Sequence, residues 1–445
     1  MRSVLLTTLN LPKRNTKVHY FLRLSISLRI FTAGCRSKSH IFVLKINVYD
    51  DMNKTRFLLA VFFCLCLHTA TAQQLKKVAP GQVGLDAAKL QQTDNIIQQA
   101  IDKKEIPGAV LAVVRRGKMA YLKAYGNKQV YPTVEPMDVN TVFDMASCTK
   151  PMATAISMLI LTERGLVRLQ DNVNMYIPGF TFMTRDIEVL NLMTHTSGLP
   201  AYAPEETLKK RYGSPNPAGF MEYIASCKRD FEPGTKMQYS CLNYITLQHI
   251  IENVSTKSFR DFAKENIYDV LGMTHTDFNP TGETLERCAP TSRLKGTEVL
   301  KGVVHDPLAR ELNGGVSGNA GLFSDANDIA ILVAALQNGG EWNGKRILQP
   351  QTVKLMRSLP ESLKAFGRTP GWDMSSVYAS CKGSLLSPAT YCHTGYTGTS
   401  IVIDPDNDIA IILLTNRVHP VDKGSVVKLR KMVADAVAGA MIRGK

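Results

Sequence analysis

Phe143-Asp144-Met145-Ala146-Ser147-Cys148-Thr149-Lys150, followed by the almost wholly apolar run 152–161, is the stretch from which the rest of the chain is read. A strand-like segment, Thr141-Val142-Phe143, gives way there to a helix that is apolar on every side, and such a helix is buried. Its N-terminus presents free N–H groups and a positive dipole end, which suit a serine alkoxide and later an oxyanion. Serine is a weak nucleophile at neutral pH and needs a neighbouring base. Lys150, three residues on, shares a helical face with Ser147, so both side chains are expected in one cleft.

Spacing alone does not single out this pair. The S-x-x-K pattern also occurs at Ser292/Lys295, in a polar, charged stretch, and at Ser425/Lys428, where the serine reads as the N-cap of a C-terminal helix. An ordinary N-terminal helix serine is the plain alternative for Ser147 taken alone. Two later blocks argue against it: Tyr239-Ser240-Cys241, and His393-Thr394-Gly395 ahead of a β-hairpin.

The chain has 445 residues, 44% hydrophobic and 20% charged, as a globular enzyme would. Its first 72 residues read differently. Residues 52–72 have a short basic start, an apolar run and a closing Ala70-Thr71-Ala72, the pattern of a cleaved secretory signal. The run is too short to anchor the product in a membrane. Residues 1–51 precede this signal and its own Met52, and read as an upstream extension from a mis-assigned start. A single hydrolase domain is then expected over 73–445, periplasmic or secreted. The formal charge of +15 falls to +6 once the eleven basic and two acidic residues of 1–72 are removed. No basic block remains, so nucleic-acid binding is not expected. Six cysteines remain, Cys148, Cys227, Cys241, Cys288, Cys381 and Cys392, with no metal-ligand spacing. They read as small apolar fillers, with Cys241 the one that a sharper reading puts in the cleft.

Asp86 is the expected N-cap of an amphipathic helix reaching Lys103, and 109–114 with 119–124 form a hairpin across Arg116-Gly117-Lys118. Residues 166–340 read as helices and loops. Strands return at 400–403 and 409–414, and a last amphipathic helix covers 425–441. Strands at both ends with helices between them imply an α/β (α+β) fold. It would be an antiparallel sheet built from both chain ends and flanked by helices, with an inserted, mainly helical lobe.

Several blocks in one order resemble the serine β-lactamase and penicillin-binding-protein-like hydrolases, class C type, over roughly 85–440. Besides 143–150 they are Leu192-Met193-Thr194-His195-Thr196-Ser197-Gly198-Leu199, Tyr239-Ser240-Cys241-Leu242-Asn243-Tyr244, Ala320-Gly321-Leu322-Phe323-Ser324 and His393-Thr394-Gly395. A tyrosine block stands where class A enzymes have S-D-N. The resemblance implies that Ser147 is the nucleophile. A partly desolvated, neutral Lys150 would relay its proton, with Tyr239 as general base. It implies an oxyanion hole from the backbone N–H groups of Ser147 and Tyr396. His393 takes the place of the K-T-G lysine, to bind a substrate carboxylate or assist proton transfer, with Thr394, Gly395 and Cys241 lining the substrate site. His195 reads as a turn-fixing residue.

Cys241 replaces an asparagine of the tyrosine block, and His393 a lysine, so an efficient β-lactamase is not the first expectation. Stretches around Val304-His305-Asp306-Pro307 and 314–321 look closest to esterase and muropeptide-amidase relatives, although Asn319 stands where those usually have histidine. His305 and Asp306 are therefore second-tier site candidates, with a simple proline turn as the alternative. Three readings follow: a serine hydrolase cleaving an ester or amide in a small-molecule or peptidoglycan-fragment substrate, a class C-like β-lactamase, and a non-catalytic peptidoglycan- or penicillin-binding protein. None calls for a metal or cofactor. Substrate choice is expected to depend on the segments 202–229 and 358–372.

Overall fold

The computed structural model describes residues 25–31, 41–47, 74–180, 185–294 and 298–442. The chain divides into two compact units, 1–70 and 71–445. In the first, β1 (Ser25–Phe31) and β2 (Ile41–Asn47) pair antiparallel. The segment 52–72, read above as a secretory signal, lies outside the described residues.

The second unit is built on a six-stranded antiparallel sheet. β3 (Gly108–Arg115) and β4 (Lys118–Gln129) form the expected hairpin. Its two-residue turn has both Arg116 and Gly117 at positive φ, as a tight hairpin turn of matching twist needs. β5 (Glu135–Pro136) extends the edge beside β4. On the other side come the C-terminal strands β11 (Tyr391–Thr394), β12 (Ser400–Asp404) and β13 (Ile409–Thr415), and β13 pairs with β3. The sheet is therefore made from both ends of the unit.

Every residue of β3 and β13 is buried, so the alternation of their side chains serves two faces. Val110, Ala112, Val114, Ala410, Ile412 and Leu414 join the core shared with the helical lobe. Ala109, Leu111, Val113, Ile409, Ile411 and Leu413 face the other way. There they meet α1 (Ala87–Leu90), α2 (Gln92–Asp102) and the C-terminal helix, α7 (Val427–Gly439). The Asp86 carboxylate caps α1 by accepting from Ala88 and Lys89, and the amphipathic stretch breaks for one residue at Gln91.

The inserted lobe carries α3 (Ile156–Glu163), α4 (Val189–Met193), α5 (Cys241–Ser255) and α6 (Ala326–Gln337), among further helices such as Glu205–Tyr212 and Pro217–Ser226. Two small β elements join it. A three-stranded sheet is formed by β6 (Phe143–Asp144), β7 (Asp277–Phe278) and β8 (Leu322–Ser324), and a ribbon by β9 (Glu341–Trp342) and β10 (Lys345–Arg346). α3 and α6 are almost wholly buried, as their unbroken apolar sequences require. One expectation needs correction. The helix after Ser147 is not α-helical from its start: Ala146–Cys148 is a 3₁₀ turn, Lys150–Ala155 a π-helical turn, and α geometry begins at Ile156. Pro151, with no N–H, cannot supply the i→i−4 bond that a regular first turn would use.

Candidate active site

Ser147 is half-buried in an otherwise buried run from Thr141 to Lys150. The residue before it, Ala146, has φ +45°, a strained backbone for an alanine. Two bonds hold that turn. The Asp144 carboxylate accepts from the Ala146 N–H at 2.8 Å and from the His305 N–H at 2.7 Å. Burial pushes this carboxyl up to about 6.

The end of β11 is docked on the same turn. Thr397 Oγ1 donates to the Asp144 carbonyl at 2.7 Å, and Thr399 Oγ1 to the Met145 carbonyl at 3.1 Å. A Cβ on Gly395 would lie 2.5 Å from the Met145 oxygen and 2.1 Å from Thr399 Oγ1. Only glycine allows this approach, which carries Tyr396 to the nucleophile turn.

Lys150 is fully buried, and its Nζ donates to Ser147 Oγ at 3.0 Å and to the Asn319 carbonyl at 2.9 Å. Cys241 Sγ is 3.8 Å from the same nitrogen. Lys150 Nζ is 4.9 Å from the Tyr239 ring centroid, and Lys150 and Ser147 both act to lower the pKa of the Tyr239 hydroxyl. Burial alone would lower the Lys150 pKa, but Cys241, Tyr239 and Asp306 outweigh it and hold the ammonium above the usual lysine range. The expectation of a neutral lysine rests on desolvation, which is the largest effect here but is opposed by the groups that favour the charge. Tyr239 and Cys241 are both raised, chiefly by burial, with Lys150 opposing.

Two neutral histidines flank the tyrosine. His195 stacks on its ring, centroids 4.3 Å apart, and its Nδ1 accepts from the Ser240 N–H and faces the Asn243 amide nitrogen, each at 3.1 Å. It also has φ +59°, so it fixes its turn as expected and in addition supports Tyr239. His393 is buried, with its ring centroid 6.3 Å from that of Tyr239. Its Nδ1–H donates to the Thr394 carbonyl at 3.1 Å, which leaves Nε2 as a buried acceptor with no partner among the described residues. Burial, with the charges of Arg368 and Lys150, holds His393 well below the usual histidine range. The carboxylate-binding half of its expected role loses its charge on this ground, and the proton-transfer half keeps its acceptor.

The second-tier pair lies at the rim of the site. The His305 ring stacks on Tyr396 at 5.6 Å, and its Nε2 bonds Ser292 Oγ at 2.8 Å. Asp306 accepts from Tyr202 OH at 3.1 Å and from Asn319 Nδ2 at 3.2 Å, so it reaches Lys150 through Asn319. Asp306 also accepts from the Ala309 N–H, so the simple turn is present too. The other two S-x-x-K serines keep structural roles: Ser292 pairs with His305, and Ser425 Oγ accepts from the Val427 N–H at the start of α7. Among the six cysteines of 74–442, Cys148, Cys288, Cys381 and Cys392 are buried fillers, while Cys241 opens on the cleft.

Three further groups escape the sequence reading. They are the Asn319 carbonyl, the exposed Tyr378 ring 5.2 Å from that of Tyr239, and the buried Arg368 over the tyrosine ring. No spacing rule points to a backbone carbonyl 169 residues away. The segment 358–372, expected as a substrate loop, is largely interior at its end, where Arg368, Thr369 and Trp372 are fully buried.

An antiparallel sheet with an inserted helical lobe, and a serine, lysine and tyrosine meeting beside the edge strand, define a class: the serine hydrolases of β-lactamase/transpeptidase fold. The chain belongs to the Beta-lactamase family, whose description matches residues 93–434. It is 31% identical over 401 residues to an Escherichia coli K12 protein named "Putative D-alanyl-D-alanine carboxypeptidase", covering 83% of this chain and 92% of the relative. A Salmonella typhimurium protein of the same name is 34% identical over 378 residues, covering 78% and 86%. Among solved structures, EstCE1, a hydrolase with promiscuous acyltransferase activity, superposes with a TM-score of 0.63 at 23% identity, covering 79% of this chain and 99% of its own. The octameric penicillin-binding protein homologue of Pyrococcus abyssi gives 0.59 at 21%, covering 78% and 76%. These two likenesses establish the fold and agree with the layout expected from the sequence.

Proposed function

We propose that the protein is an exported serine hydrolase that cleaves an ester or amide through an acyl-Ser147 intermediate, with cell-wall-derived peptide or muropeptide fragments as substrates. The observation that carries this reading is the half-exposed Ser147 hydroxyl, 3.0 Å from a Lys150 Nζ that lies 4.9 Å from the Tyr239 ring centroid. In the reacting state Tyr239 has given its own proton to solvent; Ser147 Oγ attacks the carbonyl carbon as its proton passes to that phenolate oxygen. The Ser147 and Tyr396 N–H groups receive the developing oxyanion, a contribution worth about 10²–10³ in rate per donor in serine proteases. The tyrosine then returns the proton to the departing oxygen or nitrogen, and water repeats the sequence on the acyl-enzyme. Lys150, as the ammonium beside it, makes the tyrosine phenolate that precedes attack less costly.

A peptide ending in D-alanyl-D-alanine is the first amide to try, since relatives over 30% identical carry that name. Neutral His393 offers a substrate carboxylate no charge, which favours esters beside it in the screen and places β-lactams below both. Export rests on the signal-like segment 52–72.

Intact-mass measurement after fluorophosphonate treatment tests the reading. One stoichiometric adduct on Ser147, absent from Ser147→Ala, is expected, together with Ser147-dependent turnover of an ester or a D-amino-acid amide. Absence of the adduct, or full turnover by Ser147→Ala, would overturn it. Ligand affinity with no Ser147-dependent product would instead favour a non-catalytic binder.

A further inference from the structure

We infer that Arg368 is a positioning residue that supplies, over the Tyr239 ring, the second positive charge needed for that tyrosine to release its proton. The inference rests on the proposed role of Tyr239 as the acceptor of the Ser147 proton. It also accounts for the neutral histidine, His393, that stands where the resemblance places a lysine.

Arg368 is 0% exposed, and its guanidinium carbon is 5.5 Å from the Tyr239 ring centroid. Nη1 donates to Asp373 Oδ1 at 2.6 Å, while Nε and Nη2 are buried with no hydrogen-bond partner among the described residues. Burying a guanidinium with unfilled donors is costly, and an apolar side chain of that size would fill the same space without the cost. The ion pair is held in place at its Asp373 end. Asp373 Oδ1 also accepts from Ser376 Oγ at 2.5 Å, and the Asp373 backbone exchanges hydrogen bonds with Cys392, next to His393 on β11.

The groups around Tyr239 come from every side. Ser147 and Lys150 reach it from the nucleophile turn, and Cys241 and Tyr244 from α5. His195 stacks on its ring, the Tyr378 and His393 rings are tilted against it, and Arg368 lies over it. Of these, the two histidines are neutral, since burial and the charges of Arg368 and Lys150 hold both well below the usual range. Cys241, Tyr244 and Tyr378 add no positive charge. Among the named groups, the cations are therefore Lys150 and Arg368, 4.9 Å and 5.5 Å from the Tyr239 ring centroid, and Asp373 neutralises part of the second. A phenolate formed on Tyr239 has two buried charges close to its ring, in surroundings where water screens them little.

The test is the rate of fluorophosphonate labelling of Ser147 as a function of pH, which needs no knowledge of the substrate. Labelling of the wild type is expected to rise with pH as the tyrosine–lysine pair loses a proton. Arg368→Met with Asp373→Asn removes both charges together and leaves no stranded ion. It should move the midpoint up by about one pH unit and slow labelling ~10-fold at neutral pH, since a cation 4–6 Å away is worth ~1–3 units. Arg368→Lys keeps the charge and should restore the wild-type midpoint. Asp373→Asn alone leaves Arg368 fully charged and should move the midpoint down.

An unchanged midpoint in the folded double variant, with any loss spread evenly over pH, would overturn the inference and leave Arg368 a structural role. If the double variant does not fold, the single Asp373→Asn decides: a midpoint that stays or rises overturns it. A wild-type protein that is not labelled at any pH would remove the proposed role of Ser147 and this inference with it. Normal labelling with an unshifted double variant removes only the inference.

Discussion

Ala146 and the two histidines beside Tyr239 show how single residues hold the site in shape. Ala146 keeps its strained φ because its N–H is pinned to Asp144 and the strand end at Gly395 closes over it. The histidines carry a cost that depends on acidity. His393 has a native pKa well below its ordinary 6.5, so above that value neither folded nor unfolded chain binds a proton there. As pH falls below 6.5, the unfolded chain takes up a proton that the native state refuses, and stability is lost. Asp144 works in the opposite sense between 3.8 and about 6, because the native carboxyl is the one that protonates first. A comparison of variants separates the two. His393→Gln should gain on the wild type by about 1.4 kcal/mol per pH unit below 6.5, measured as the difference in denaturant midpoints. An offset that does not change with pH would contradict a neutral, buried His393. At this scale the sequence was legible where a residue type is needed for chemistry: Ser147, Lys150, Tyr239 and Gly395 all meet. It did not reach protonation: the neutral Lys150 rests on desolvation alone, whereas the protonation of Lys150 and of His393 depends on partners from distant segments.

The turn that links Ser147 to α3 is where element-level reading failed and where the site gains a second anchor. Apolar periodicity announces a buried helix, but it does not tell a 3₁₀ or π turn from an α turn, and only Pro151 hints at the irregular start. The wider π turn is tied to the loop before β8: Thr154 Oγ1 donates to the Gly318 carbonyl at 2.7 Å, next to the Asn319 carbonyl that accepts from Lys150. Thr154→Val keeps the shape and removes the donor. It should cost about 1–3 kcal/mol, the range for a stranded buried acceptor, and slow Ser147 labelling with no change in its pH midpoint. A variant with wild-type melting temperature and labelling rate would show that this bond does not hold the lysine. The hairpin of β3 and β4, the cap at Asp86 and the strands β12 and β13 were readable in advance. Each depends on local signals: a positive-φ turn, an Asx cap and alternating or continuous apolar runs.

Taken whole, the 71–445 unit completes its sheet, core and site from its own residues. Its two ends are clipped together, Asp86 N–H to the Ala440 carbonyl at 2.8 Å and Ile442 N–H to the Gly84 carbonyl at 2.9 Å. Removal of residues 1–72 should therefore leave the melting temperature and Ser147 labelling unchanged. A drop in either would give the leading segment a part in the folded enzyme and argue against its being a removable leader. The general architecture was legible because strands at both ends leave few other ways to build one sheet. The position of Arg368 was not, since only the completed packing brings a Gly- and Pro-rich stretch over a tyrosine 129 residues earlier.

The pairing of β13 with β3 also orders events during synthesis. The hairpin of β3 and β4 leaves the ribosome roughly 300 residues before the strand that covers its free edge. Until then β3 has unsatisfied backbone groups along one side, and the Ser147 turn lacks the strand that closes over it. Folding by such distant pairings is slow, so the nascent chain remains extended while it is made. If residues 52–72 direct export, that delay is useful: a chain that cannot finish its sheet early stays threadable through a membrane channel, and the serine is armed only on the far side.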